Sequence, residues 1–354
     1  MYDRLNPSWE ATAIYRARVR GSLLGGAVGD ALGYPVEFVS LDRIRALYGE
    51  QGVTGLAPDA GGVVGRVTDD TQMTLFTVEG LRLAHRRERH RGIGGGWSQL
   101  VREAYGRWFD TQRLSGPPEG AEGLAAQPWL YARRAPGNAC LSGLAQDFVP
   151  DPDAALGRPG PVNSDSKGCG AVMRSAPFGL TRVPADTAFA MAARSAQTTH
   201  GHPTGYYSAG AFAAVVAHLL EGDSLEGAVL RALRLLARYP GHEETTAALR
   251  GAVDLAAEGL PTAEKVQTLG AGWVGEQALA IAVYCALAEP DVRRALLLSV
   301  NHSGDSDSTG ALCGNLLGAR HGDHGLPQDW LERVEGRAEI SVVADDLAAE
   351  CARS

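Results

Sequence analysis

Two short acidic runs hold the residue types best suited to chemistry. Residues 303–310 read SGDSDSTG and residues 68–71 read TDDT, each directly ahead of a long apolar segment. Asp69, Asp70, Asp305 and Asp307 supply carboxylates, and Thr68 and Ser308 add hydroxyls. Such a set of hard oxygen donors suits Mg²⁺ or Mn²⁺, which take oxygen ligands in octahedral arrays. Four carboxylates around one divalent ion leave surplus negative charge, so two ions sharing bridging carboxylates balance the set better. Each run also has a purely structural reading. Thr68 is a natural helix N-cap, Asp305 and Asp307 would equally serve to cap the helix that follows them, and aspartates in a first turn complement the helix dipole.

Other metal and phosphate motifs fail on their spacing. An EF-hand register starting at Asp305 puts Leu316 where a bidentate Glu is required. DSDST also matches the DxDx[TV] motif of aspartyl phosphatases, but that motif normally closes an early strand with most of the chain following. The sequence contains no GxxxxGK[ST] loop and no HExxH. Three further stretches are candidates. In SDSKGCGAVMRSAPFG, Lys167 accompanies Gly168 and Gly170, where backbone N–H groups would approach a phosphate if this is more than a glycine turn. TTHGHPTG carries His200 and His202 just before a helix, either facing a ligand or serving the fold. Glu37 in YPVEF stands among apolar residues, where a raised pKa would suit proton transfer, unless it simply ends a helix at the surface.

The elements that position these residues are helical throughout. Apolar residues recur three or four apart near 10–32, 68–90, 97–110, 186–198, 204–221, 224–238, 243–257, 274–287, 290–299, 307–320 and 327–335. No stretch sustains strand alternation, so the expectation is an all-α protein forming one domain over 1–354. Two helices carry glycines at four-residue spacing: Gly21, Gly25, Gly29 and Gly33, then Gly310, Gly314 and Gly318. Each interior glycine costs roughly 1 kcal/mol against alanine. The spacing therefore predicts a compensating close approach of another backbone, with both helices at the centre of the molecule.

Composition narrows the function classes. Hydrophobic residues make up 45% of the chain and mean hydropathy is −0.12, as for a soluble globular protein. MYDRLNPSWE lacks a secretory pattern, and the longest apolar run, Tyr206 to Leu220, is shorter than the roughly 20 residues of a membrane span. Five scattered cysteines suit a reducing cytoplasm and argue against a zinc–thiolate site. A net charge of −8 provides no field for nucleic acid. The basic run HRRERHR, 85–91, reads as cations at a helix C-terminus.

GSLLGGAVGDALGYPVEF, TDDTQMTL, SKGCGAVMRSAPFGL, the TTHGHP region and HSGDSDSTGALCGNLLGA, in this order, resemble the ADP-ribosylglycohydrolase family. The closer likeness is to its dinitrogenase-reductase-activating and ADP-ribosyl-arginine type. The resemblance implies a compact, orthogonal all-α fold with a binuclear Mg²⁺/Mn²⁺ centre at the base of an ADP-ribose cleft. It implies Thr68, Asp69, Asp70, Asp305, Asp307 and Ser308 as metal ligands. Glu37 falls on a mobile loop near the scissile bond, and either Glu37 or an aspartate of the centre, Asp70 or Asp307, is the implied base. Gly168, Gly170, Met173 and His200 are implied to lie along the ADP-ribose, as are Gly137 and Asn138 of RAPGNACLSGL. The loop reads Lys167-Gly168-Cys169-Gly170 where some branches begin with Asn-Gly. The implied partner is an ADP-ribosylated protein or other conjugate, the product ADP-ribose, and the acceptor arginine. Serine, nucleobase or ester acceptors, a phosphohydrolase on the same carboxylates, and a catalytically silent ADP-ribose binder are the rival readings.

Overall fold

The computed structural model describes residues 8–92 and 94–352. Residues 1–7, read above for a secretory pattern, lie outside the described residues. Among those described there are sixteen α-helices and no β-strand. The first half holds α1 (Trp9–Gly33), α2 (Leu41–Tyr48), α3 (Asp69–Arg91), α4 (Trp97–Thr111), α5 (Asn138–Leu144) and α6 (Ala176–Leu180). Next come α7 (Ala185–Ala196), α8 (Pro203–Glu221), α9 (Leu225–Leu236), α10 (Glu243–Ala256) and α11 (Ala263–Thr268). The last are α12 (Gly275–Ala288), α13 (Val292–Val300), α14 (Ser306–His321), α15 (Gln328–Leu331) and α16 (Arg337–Cys351).

Ten of the expected segments fall within a few residues of these helices. The eleventh, 327–335, shrinks to α15, a single turn behind Pro327. Helices α2, α5, α6 and α11 are too short to repeat an apolar pattern. Helix α16 does repeat one, burying Ile340, Ala344, Leu347, Ala348 and Cys351, but β-branched residues and paired aspartates interrupt it. The run 85–91 does end α3, closed by Gly92 in the left-handed conformation, so its cations meet the helix C-terminus as expected.

The two glycine ridges pack against each other. A Cβ placed on Gly21, Gly25 or Gly29 would lie 2.5, 2.3 or 1.9 Å from the carbonyl oxygen of Gly318, Gly314 or Gly310. A Cβ on Gly33 would lie 2.2 Å from the carbonyl oxygen of Ser306. The helices are therefore antiparallel and in backbone contact along their length, with no room for any side chain between them. Both are buried, α1 from Gly21 to Gly33 and α14 from Ser306 to Ala319. Asn315 locks the register by donating from Nδ2 to the carbonyl of Ser22, 2.8 Å away. Helices α3, α8, α12, α13 and α16 surround the pair. One consequence governs the site: the C-terminus of α1 is set beside the N-terminus of α14.

A glycine-to-alanine series tests this packing. In α10, Gly251 has nothing within 4 Å of its Cβ position, so Gly251→Ala should stabilise the protein by about 0.5–1 kcal/mol. Gly29→Ala and Gly314→Ala gain the same propensity, yet should lose about 3 kcal/mol net, because a backbone carbonyl cannot yield. Urea unfolding measures both signs.

Candidate active site

Helix α3 begins at Asp69 behind Thr68, whose Oγ1 accepts from Asp70 N at 3.3 Å. Helix α14 begins behind Asp305, whose Oδ1 accepts from Ser308 N at 3.3 Å; Asp307 Oδ1 accepts from the same N–H at 3.0 Å. The capping readings of both runs thus hold. They do not exhaust the carboxylates, however. Asp70 Oδ1 is buried with no hydrogen-bond partner. Asp69, Asp70, Asp305 and Asp307 are all buried, and none joins an ion pair among the described residues. Glu37, four residues past α1, brings its carboxylate within 4.8 Å of those of Asp305 and Asp307. Buried carboxylates stay charged only when paired, well hydrogen-bonded or bound to a metal. The donor set here is all oxygen and has an orphaned acceptor, which fits a hard divalent cation.

The electrostatics show the same strain. Burial, then repulsion from Asp307, pushes the carboxyls of Asp69, Asp70 and Asp305 well above the usual range. Glu37 is raised too, by burial first and then by Asp307, Asp305 and Asp69. Cys169, between the glycines of its loop, donates from Sγ to Asp305 Oδ2 at 2.7 Å.

One carboxylate in this group escapes the sequence patterns used above. Asp30, fully buried on α1, accepts from Thr68 N at 3.0 and 2.9 Å, from Thr71 N at 3.2 Å and from Thr71 Oγ1 at 2.5 Å. It ties the start of α3 to α1, and burial lifts its pKa to about 7. A lone acid inside the glycine-rich apolar run GGAVGDALG is the signal that marks it.

Above the carboxylates opens a cleft of about 320 Å³. Of the residues singled out from sequence, Glu37, Asp69, Asp70, Gly137, Asn138, Gly168, Cys169, Gly170, Met173, His200, Asp305, Asp307 and Ser308 line it. Thr68 lies behind the wall, fully buried, with Oγ1 3.4 Å from Asp70 Oδ2. Lys167 is not brought to the cleft. Its Nζ is held by Glu244 at 2.8 Å and Glu276 at 2.9 Å, carboxylates on α10 and α12. His202 caps α8, its Nδ1 accepting from Thr204 N at 3.2 Å. Glycine is required at 170 because a Cβ there would sit 2.7 Å from Cys140 Sγ and 3.1 Å from His200 Cε1. Two aromatic residues not singled out from the sequence, one of them the last residue of YPVEF, complete the rim. Phe38, 70% exposed with φ +65°, stacks on Trp273, ring centroids 4.9 Å apart. A bulky residue at positive φ is strained, and the stack helps to hold it there.

The fold is all-helical, with an acidic floor beneath a glycine-lined cleft, and comparison with known proteins identifies the class. The family model described as ADP-ribosylglycohydrolase matches residues 11–354, and the chain belongs to that family. It is 27% identical over 334 residues to the ADP-ribosyl-[dinitrogen reductase] glycohydrolase of Rhodospirillum rubrum, covering 92% of each chain. It is 26% identical to ADP-ribosylhydrolase ARH3 of Bos taurus, over 94% of this chain and 92% of that one. A solved ADP-ribosylglycohydrolase-related protein complex shares the fold, with a TM-score of 0.64 and 22% identity over 96% of this chain and 99% of that chain. The protein is an enzyme of the ADP-ribosyl glycohydrolase class. No helix among the described residues is long and apolar enough to cross a membrane.

The raised carboxyls set the pH response. A carboxyl whose folded pKa exceeds its unfolded value of about 4 binds its proton more tightly in the folded chain. Its stabilising contribution is full below about pH 4 and is lost as pH rises, for Asp30 through about 7. In EDTA, Tm should therefore fall by about 5 °C or more between pH 5 and pH 8. Mn²⁺ favours the charged forms and should raise Tm more at pH 8 than at pH 5. A metal-free Tm that rises over this range would contradict the electrostatic picture.

Proposed function

We propose that this enzyme hydrolyses the bond from ribose C1″ to the acceptor of ADP-ribosylated substrates, releasing ADP-ribose, and that the acceptor is arginine on a protein. The observation that carries the reading is the meeting of Glu37 with Asp305 and Asp307 at the floor of the cleft. Two Mg²⁺ or Mn²⁺ ions would be held by Thr68, Asp69, Asp70, Asp305, Asp307 and Ser308. When bound, such ions fix vicinal ribose hydroxyls and lower the pKa of a water. The chain's own groups account for the rest. The carboxylate of Glu37 accepts a proton from the water as its oxygen bonds to C1″. The C1″–nitrogen bond breaks with its electron pair staying on the guanidine nitrogen. The proton taken up by Glu37 passes to that nitrogen, so the arginine leaves as guanidinium and Glu37 returns to its carboxylate. Buried negative charge stabilises the oxocarbenium character that develops on the ribose, as in glycoside hydrolysis generally. Gly168, Gly170, Met173 and His200 on one wall, with Gly137 and Asn138 on another, hold the diphosphate and sugars. Lys167 drops out of this set, because its ammonium is already paired.

The rim favours a guanidinium acceptor. An arginine side chain lies flat on aromatic faces and pairs with carboxylates, and the Phe38–Trp273 stack beside Glu37 offers both. All five cysteines are free and four are buried, in keeping with a reducing cytoplasm. Residues 1–354 are taken to act as one domain.

ADP-ribose release from arginine-modified and serine-modified proteins, with Mg²⁺, Mn²⁺ or EDTA, tests the reading. Release should require the metal and favour the arginine substrate. Asp307→Ala should cut kcat by about 10³-fold while the helical circular dichroism persists. Trp273→Ala should raise KM about fivefold for the arginine substrate alone. Release of inorganic phosphate instead, or an active Asp307→Ala enzyme, would overturn the proposal.

A further inference from the structure

Behind the glycine loop lies a buried guanidinium with no carboxylate to answer it. Arg174 is 1% exposed and forms no ion pair among the described residues. Its Nη1 reaches only sulfur, Cys140 Sγ at 3.4 Å and Met73 Sδ at 3.5 Å, and its Cζ lies over the Tyr105 ring, 4.4 Å from the centroid. Its strong hydrogen bond runs from Nη2 to Thr199 Oγ1, at 2.6 Å. Thr199 Oγ1 in turn stands 2.8 Å from His200 Nδ1.

The direction of that second bond follows from the first. A guanidinium only donates, so Thr199 Oγ1 accepts from Arg174 and has one proton left to place. Its two possible acceptors are the Ala196 carbonyl at 3.4 Å and His200 Nδ1 at 2.8 Å. The shorter bond wins, and donation from a cation makes the hydroxyl a better donor and a poorer acceptor. Nδ1 of His200 is therefore bare, and the ring proton sits on Nε2. Burial and the Arg174 charge drop the His200 pKa to about 3, so the ring stays neutral. His200 is 2% exposed and lines the cleft, and its Nε2 has no hydrogen-bond partner among the described residues. That atom lies beneath Gly168 and Gly170, 3.2 and 3.4 Å from where their Cβ atoms would be.

We propose that Arg174 and Thr199 are positioning residues that fix the Nε2–H tautomer of His200, which then donates one neutral hydrogen bond to an acceptor oxygen of the bound ADP-ribosyl group. The inference rests on the ADP-ribosyl reading of the cleft. A ring held as a neutral donor accepts oxygen atoms of phosphate or sugar, and rejects a ligand that presents a donor at that point.

Ring ¹⁵N spectra of histidine-labelled protein, together with ADP-ribose titration calorimetry, test it. In the wild type, His200 should show a protonated Nε2 and a bare Nδ1. Thr199→Val should abolish that preference and weaken ADP-ribose about tenfold, whereas Thr199→Ser should preserve both. His200→Ala should cost a similar factor, and adding Thr199→Val to it should cost little more, because both changes remove one interaction. A protonated Nδ1 in the wild type overturns the proposal, as do losses that multiply in the double variant. If Thr199→Val does not fold, the wild-type spectrum and the Thr199→Ser titration still decide. Wild-type protein that binds no ADP-ribose refutes the functional reading and the ligand end of the relay, while the tautomer stands or falls on the spectrum alone.

Discussion

Backbone touches backbone where α1 crosses α14, and the rest of the molecule is arranged around that contact. Seven glycines at roughly 1 kcal/mol each are a heavy burden for two helices. The return is a helix pair closer than side chains would allow, held in one register by Asn315. That register decides which residues meet at the end of the pair. Glu37 follows α1, Asp305 and Asp307 open α14, and their carboxylates converge within 4.8 Å. Asp30, on the same turn of α1 as Gly29 and Gly33, reaches sideways to the backbone of Thr68 and Thr71 and so adds the start of α3 to the group. A shift of one helical turn would carry every one of these groups out of reach of the others.

The same construction creates an electrostatic conflict. Acidic first turns are favourable at each helix start when considered alone, because they complement the dipole. Two such starts facing each other under a buried floor place like charges together in a medium that screens them poorly. The structure leaves this unresolved within the protein: Asp70 Oδ1 has no partner, and Arg66 and Arg134 are paired with Asp59 and Glu335 instead. Stability and function are thus opposed at one spot, as is common where a fold holds a catalytic centre.

Much of this was legible in the sequence. Four-residue glycine spacing in Gly21–Gly33 and Gly310–Gly318 implies close helix contact, and the acidic runs TDD and DSDS imply one shared set of oxygen donors, which the family resemblance sets at the base of a cleft. Other features were hidden for physical reasons. Asp30 acts through backbone N–H groups 38 and 41 residues away, a partnership no local pattern encodes. Lys167 stood in a promising glycine loop, but its stem carries the ammonium to Glu244 and Glu276, which long-range packing alone brings close. Phe38 and Trp273 meet across 235 residues of chain, and their stack depends on a positive φ that the residue type argues against.

The central claim is that the converging carboxylates form one metal-binding floor. Anomalous diffraction from crystals grown with Mn²⁺ tests it most directly. The account predicts strong peaks between the start of α3 and the start of α14, in contact with Asp69 or Asp70 on one side and Asp305 or Asp307 on the other. A cleft floor without a peak would contradict it, above all if Mn²⁺ bound instead at the outlying cluster of His218, Glu221 and Asp223.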